Sequence, residues 1–254
     1  MQCLSAAALV RVSASAEMTK YARSYGRPGV RILPFLVFIV INSLPAATPN
    51  VSVVDFVKQI YFHGVPFQEA AAYGPAAAPE LINMLSDPSY EPYWSNVVVT
   101  LGIVGDSRVI RPMLKFLESG TGEIPAPIAN AKSGVLMSLG YVINHTNDAG
   151  ALDYLKSGLK PSTWDKRIKW RASYHLDTAS RNRHLSMLAI NGLALSGHPD
   201  ALQVLQQLLA TSAAASEERA FRRAIRRQVM EAIKINKFIA ENGLPTYYKK
   251  MEGH

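Results

Sequence analysis

His175, Asp177 and His184 form the tightest group of side chains in this sequence that could do chemistry. Two imidazoles and a carboxylate in one short stretch could supply a general acid, a general base and an orienting group, so an enzyme of the lyase or hydrolase type is one reading. A polar loop histidine explains the same residues without chemistry. No HExxH occurs, and His63, His145, His198 and His254 show no metal-ligand spacing. Ser157 and Lys160 match the SxxK of penicillin-interacting serine enzymes, but the companion motifs are missing. Gly120, Thr121 and Gly122 lack the lysine and hydroxyl residue of a phosphate-binding loop. Asn50-Val51-Ser52 and Asn144-His145-Thr146 satisfy the glycosylation sequon, which matters only in a eukaryotic secretory pathway. No catalytic motif stands, and nothing calls for a cofactor or a metal.

Composition narrows the class. The chain has 254 residues, 48% hydrophobic and 18% charged, as in ordinary folded proteins. Cys3 is its one cysteine, which excludes a disulfide scaffold and a thiolate metal cluster. The net charge of +8 suggests nucleic acid or anionic membrane as partners until the chain is divided. Residues 1–47 carry Arg11, Lys20, Arg23, Arg27 and Arg31 against Glu17, then a ten-residue apolar run at 32–41, then Ala46 and Ala47. That is the layout of a secretory signal peptide, with translation starting at Met1 or Met18, and it predicts a periplasmic or secreted protein. A bilayer core needs about 20 apolar residues, so the run is too short for a permanent anchor. Of the remaining charge, residues 48–155 hold five basic and ten acidic side chains, and 156–254 hold seventeen and eight. The domain is a dipole, acidic and then basic.

One pattern recurs along 48–254: an apolar helix, a tight turn with Gly, Asn or Asp, and a second amphipathic helix. Leu101 to Asp106 leads into Val109, Ile110, Met113, Leu114 and Leu117, and Leu193 to Asp200 leads into Leu202, Leu205 and Leu209. Leu139 to Asn144 leads into Leu152 and Leu155. Spacings of 38 from Leu101 to Leu139, 54 from there to Leu193 and 40 from there to Ile233 give a unit near 40 residues with one enlarged member. These residues resemble HEAT repeats, in particular the HEAT-like family that includes phycobilisome lyases. The resemblance covers about 65–245 and implies a binding scaffold without common catalytic residues. Periodicity points the same way, because neither helix of a pair can bury its apolar face alone and stacking creates a continuous core. The expected fold is all-α, a right-handed α-solenoid of four to five helix pairs, with Gly105 ending its helix in a left-handed conformation.

In such an array the long connections gather on one rim. The first carries Tyr90, Tyr93 and Trp94; the second runs from Ser119 to Pro127; the third, the insertion 156–184, carries Trp164, Arg167, Trp170 and Arg171. Aromatic and arginine side chains are favoured interface anchors, so these residues are candidates for partner contact. The alternative is that Trp164 and Trp170 tuck back and hold the insertion down. A helix over 216–241 adds Arg222 and Arg226 on a cationic side, an anion-binding stripe or simply a solvated face. The function expected is an exported, non-enzymatic scaffold for a protein partner, an acidic one. Nucleic acid or another polyanion is the alternative, opposed by the acidic first half, because a duplex-binding groove needs cations along its length.

Overall fold

The computed structural model describes residues 50–211 and 219–252, with side chains of the last stretch from 225 to 251. The targeting segment read from 1–47 lies outside them. Twelve α-helices and two short strands follow in order among the described residues: α1 (Val53–Val57), α2 (Phe67–Ala71), α3 (Ala78–Ser86), α4 (Trp94–Val104), α5 (Ile110–Glu118), β1 (Thr121–Ile124), α6 (Ala126–Thr146), α7 (Ala149–Ser157), α8 (Thr163–Arg167), β2 (Lys169–Ala172), α9 (Thr178–Ser196), α10 (Pro199–Thr211), α11 (Arg219–Asn242) and α12 (Leu244–Glu252). The protein is thus mostly helical, as the periodicity predicts.

Four long helices, α4, α6, α9 and α11, pack each against the next in chain order. Other helices flank them: α3 lies against α4, α5 and α7 against α6, and α10 against α9 and α11. Between the two sets lies the main core. The aligned leucines Leu101, Leu139 and Leu193 are all wholly buried in it, and so are Val109, Met113 and Leu117 from the amphipathic face of the second helix. Small residues let the long helices approach. A Cβ on Gly140 would sit 2.3 Å from the Gly192 carbonyl oxygen, and one on Gly192 would sit 2.2 Å from that of Leu136. Backbone therefore meets backbone between α6 and α9, with no room for a methyl group. Asparagines tie the ends: Asn144 Nδ2 donates to Ser196 O at 3.0 Å, and Asn236 Nδ2 donates to Leu193 O at 2.9 Å.

The two aligned turn glycines do different things. Gly197 ends α9 at φ 58°, the left-handed conformation expected of a helix cap. Gly105 does not, contrary to expectation: it is extended at φ −76° and ψ 155°. Its need for glycine is one of space, since a Cβ there would come within 2.5 Å of Leu101 O and 2.6 Å of the Val109 side chain. The turn then starts the next helix through Asp106, whose Oδ1 accepts from Arg108 N at 2.9 Å. Hydrogen bonds from the Arg108 guanidinium, then from its backbone N–H, pull the Asp106 carboxyl down to about 2.

The long connections are not bare loops. β1 and β2 form a two-stranded parallel ladder, Thr121 opposite Lys169 through Ile124 opposite Ala172. This small addition to an otherwise helical fold joins the second connection to the insertion. A parallel pair needs a long crossover, and α6 and α7 lie within the chain that separates the two strands.

Candidate functional site

The insertion holds itself down by its tryptophans. Trp164 and Trp170 are 0% and 1% exposed, which removes them as contact area for a partner. Each indole N–H finds a carbonyl: Trp164 Nε1 donates to Gly158 O at 2.9 Å, and Trp170 Nε1 donates to Leu117 O at 2.7 Å. Their burial satisfies apolar area and polar tip together, so here the bracing reading fits and the anchor reading does not. Arg167 lies 4.0 Å over the Tyr154 ring and donates to Ser157 Oγ at 3.0 Å. Arg171 pairs with Glu123 at 2.8 Å and donates to the carbonyls of His175 and Leu176. Both arginines are spent on fixing the insertion to α7 and to β1.

The same α5 end that receives Trp170 also receives a buried lysine. Lys132 Nζ donates to Phe116 O at 2.6 Å, to Ser119 O at 3.0 Å and to Ser119 Oγ at 2.7 Å. Desolvation pulls its amine down to about 8. With all three hydrogens used on the carbonyl end of a helix, it neutralises orphan acceptors there. Sequence reasoning passed over Lys132 because a single lysine in an apolar stretch carries no motif.

The chemical group at 175–184 is taken apart by the fold. His175 and His184 do come together, ring centroids 5.2 Å apart, with the Tyr174 ring 4.4 Å from His175. Asp177 leaves them to cap α9: its Oδ1 accepts from Ser180 N at 2.6 Å, and Ser180 Oγ accepts from Asp177 N. Hydrogen bonds from the Ser180 backbone and side chain hold this carboxyl below its usual range. Both ring nitrogens of His175, which is 7% exposed, lack a hydrogen-bond partner. Desolvation, then His184, Arg181 and Arg171, push its pKa below the ordinary value; desolvation does the same for His184. An imidazole pair without its carboxylate has no orienting group, and the flanking guanidiniums oppose a bound cation. Among the described residues no three His, Cys, Asp or Glu side chains are grouped to hold a metal.

On the first rim connection, Tyr90 is half-buried with Lys58 Nζ 5.2 Å above its ring, and Tyr93 is half-buried. Trp94 turns inward, donating to Met84 O at 2.9 Å and meeting Phe116 edge-on at 5.1 Å. On α11, Arg226, Arg227, Lys234 and Lys237 are exposed, and α12 adds exposed Lys249 and Lys250. No carboxylate among the described residues pairs with Arg226, Arg227 or Lys237. The Arg222 side chain lies outside the described residues. An open groove between α5 and α7 is lined by apolar Ile110, Leu114 and Ala151 and by the charged residues Arg111, Lys115, Glu118 and Asp148. Among the described residues no helix is long and apolar enough to cross a membrane. No family model matches this chain, and neither a curated protein nor a solved structure does.

Proposed function

We propose that the protein is a binding scaffold of HEAT-like type, a right-handed α-solenoid exported to the periplasm or secreted, which recognises an acidic protein partner and catalyses nothing. The observation that carries this reading is the equivalence of Leu101, Leu139 and Leu193: one repeat position, wholly buried each time, in helices that contact one another in chain order. Such stacking offers a surface rather than a pocket. The rearranged 175–184 group supports the non-enzymatic side of the reading, since Asp177 is committed to a helix cap. The exposed cations of α11 support an acidic partner. Tyr90 and Tyr93 add a rim contribution, whereas Trp94, Trp164, Arg167, Trp170 and Arg171 work within the fold.

The test is capture of partners from periplasmic or secreted extract by the wild-type chain and by a variant carrying Arg226→Glu and Arg227→Glu. Charge reversal should weaken capture at least tenfold at low salt, with the difference shrinking as salt rises and the melting temperature unchanged. Equal capture by both chains would sink the acidic-partner reading. N-terminal sequencing of protein from its own host should show cleavage near Ala47, and a retained N-terminus would sink export.

A further inference from the structure

A second apolar cluster borders the main core, with Phe67, Tyr141, Leu195, Ile239 and Leu244 as its buried members. One repeat position makes its floor. Two residues beyond Leu101, Leu139, Leu193 and Ile233 stand Ile103, Tyr141, Leu195 and Ile235; Tyr141 and Leu195 are buried members of this cluster, and Ile103 and Ile235 pack partly buried against both it and the main core. A residue two places along a helix lies about 200° around it. Because the leucines face the main core, Tyr141 and Leu195 two places on turn to the second cluster, while Ile103 and Ile235 at the same position border both, as a ladder along α4, α6, α9 and α11.

That ladder is covered by the chain's own C-terminal helix. Leu244 is buried, and Tyr248 stacks on Phe67 with centroids 4.8 Å apart and planes 6° from parallel. Tyr248 also meets the Tyr141 ring edge-on at 6.0 Å and shares a hydroxyl-to-hydroxyl hydrogen bond with it. Gln68 Nε2 donates to Pro245 O at 3.2 Å, so α12 reaches from the last long helix back to α2. Its link to α11 is short. One residue, Gly243, separates Asn242 at the end of α11 from Leu244, and it sits at φ +80°, where glycine carries no strain. Only Pro245 Cδ comes near the place of a Cβ there, at 3.6 Å. On its outward side α12 exposes Lys249, Lys250 and Met251. Lys250 Nζ lies 5.1 Å from the Phe238 ring, which puts a lysine beside a helix that already carries Lys234 and Lys237.

We propose that this groove is the docking site for a helical segment of a partner protein presenting a leucine and two aromatic residues at positions i, i+3 and i+4, and that α12 occupies the site until such a segment displaces it. Leu244, Tyr247 and Tyr248 have that spacing, so the occupant in the structure defines the chemistry of the one that replaces it. A partner segment with carboxylates where α12 has Lys249 and Lys250 gains against α11 what α12 lacks. The one-glycine tether gives α12 a high effective concentration, so the closed form prevails without a partner. The proposal rests on the scaffold reading for its choice of the long-helix face as a recognition surface.

The test uses a fluorescent peptide with the sequence of residues 243–252, titrated by anisotropy into the full chain. It should bind a variant carrying Leu244→Ala and Tyr248→Ala at least tenfold more tightly than wild type, and adding Tyr141→Ala should abolish that gain. A doubly substituted chain that melts like wild type yet binds the peptide no better overturns the proposal. If that variant does not fold, hydrogen exchange on the wild-type chain decides: α12 amides exchanging well before those of α9 support displacement, and α12 protected as strongly as α9 overturns it. A wild-type chain that dimerises with concentration, and ceases to when Leu244 and Tyr248 are replaced, overturns it in favour of exchange between copies. Failure of the acidic-partner reading is separable, because it is read from Arg226 and Arg227 in the capture assay while the peptide reports on the groove alone.

Discussion

The insertion and α12 both lie against the long helices, and they are held in opposite ways. The insertion is fixed by two wholly buried indoles, each donating to a carbonyl, by a strand ladder to β1 and by the Arg171–Glu123 pair. The α12 helix is fixed by one buried leucine, by half-buried tyrosines and by a single glycine link. A segment anchored at many independent points opens only when much of the fold opens, whereas one anchored at a single patch opens by itself. Aromatic content therefore does not identify the recognition element. The tryptophans, which look most like interface anchors in the sequence, brace, and the tyrosines at the chain's end cover a groove.

Trp170→Ala should give the largest effect in this comparison. It removes a fully buried indole and leaves the Leu117 carbonyl without its donor, a loss of about 4 kcal/mol. That corresponds to a fall in melting temperature of about 10 °C for a domain of this size. A variant melting within about 2 °C of wild type would break the assignment of the insertion as a brace.

How much of this was legible in the sequence follows from the range of each signal. The buried leucines at 101, 139 and 193 are local and periodic, so pattern alone places them. The companion ladder of Ile103, Tyr141, Leu195 and Ile235 has the same period, but nothing local says that a distant helix covers it. β1 and β2 are four residues each, too short for an alternation to show, and their pairing bridges 48 positions from Thr121 to Lys169. The letter Gly at 105 and 197 does not reveal whether conformation or space demands it. Asp177 with Ser180 three places on is readable as a capping box, but its nearness in sequence to two histidines suggests a chemical role for the same carboxylate.

Acid should sharpen the contrast with a smaller effect. In the folded chain His175 and His184 lie below the ordinary 6.5, so the unfolded chain takes up their protons more readily. Their contribution is unchanged above about pH 6.5 and turns against the fold as pH falls below it. Arg171 and Arg181 beside His175 add repulsion once it is charged. Limited proteolysis should therefore show cleavage at 173–177 rising between pH 7 and pH 5, with the link at 243 unaffected. Replacing both histidines with phenylalanine should flatten the response. An equal rise at both places would mean that the whole domain loosens and that the two segments are not separately held.

Tyr248→Phe should have the smallest effect and the most local one. It removes one hydroxyl and keeps the ring that stacks on Phe67. The loss falls on Tyr141, which is 5% exposed and whose hydroxyl pairs with that of Tyr248. Burial holds both phenols above the ordinary tyrosine range, so the pair is neutral and its bond is worth about 1 kcal/mol, with a larger cost for an orphaned hydroxyl. Tyr141→Phe alone should cost a similar amount by stranding the other phenol. The double variant should recover most of the loss, because two apolar rings replace two matched polar tips. Read by hydrogen exchange, the single variants should speed the α12 amides several-fold and leave those of the insertion unchanged. A global change in exchange, or single-variant losses that simply add in the double variant, would show that the tyrosine pair is built into the core rather than latching a displaceable helix.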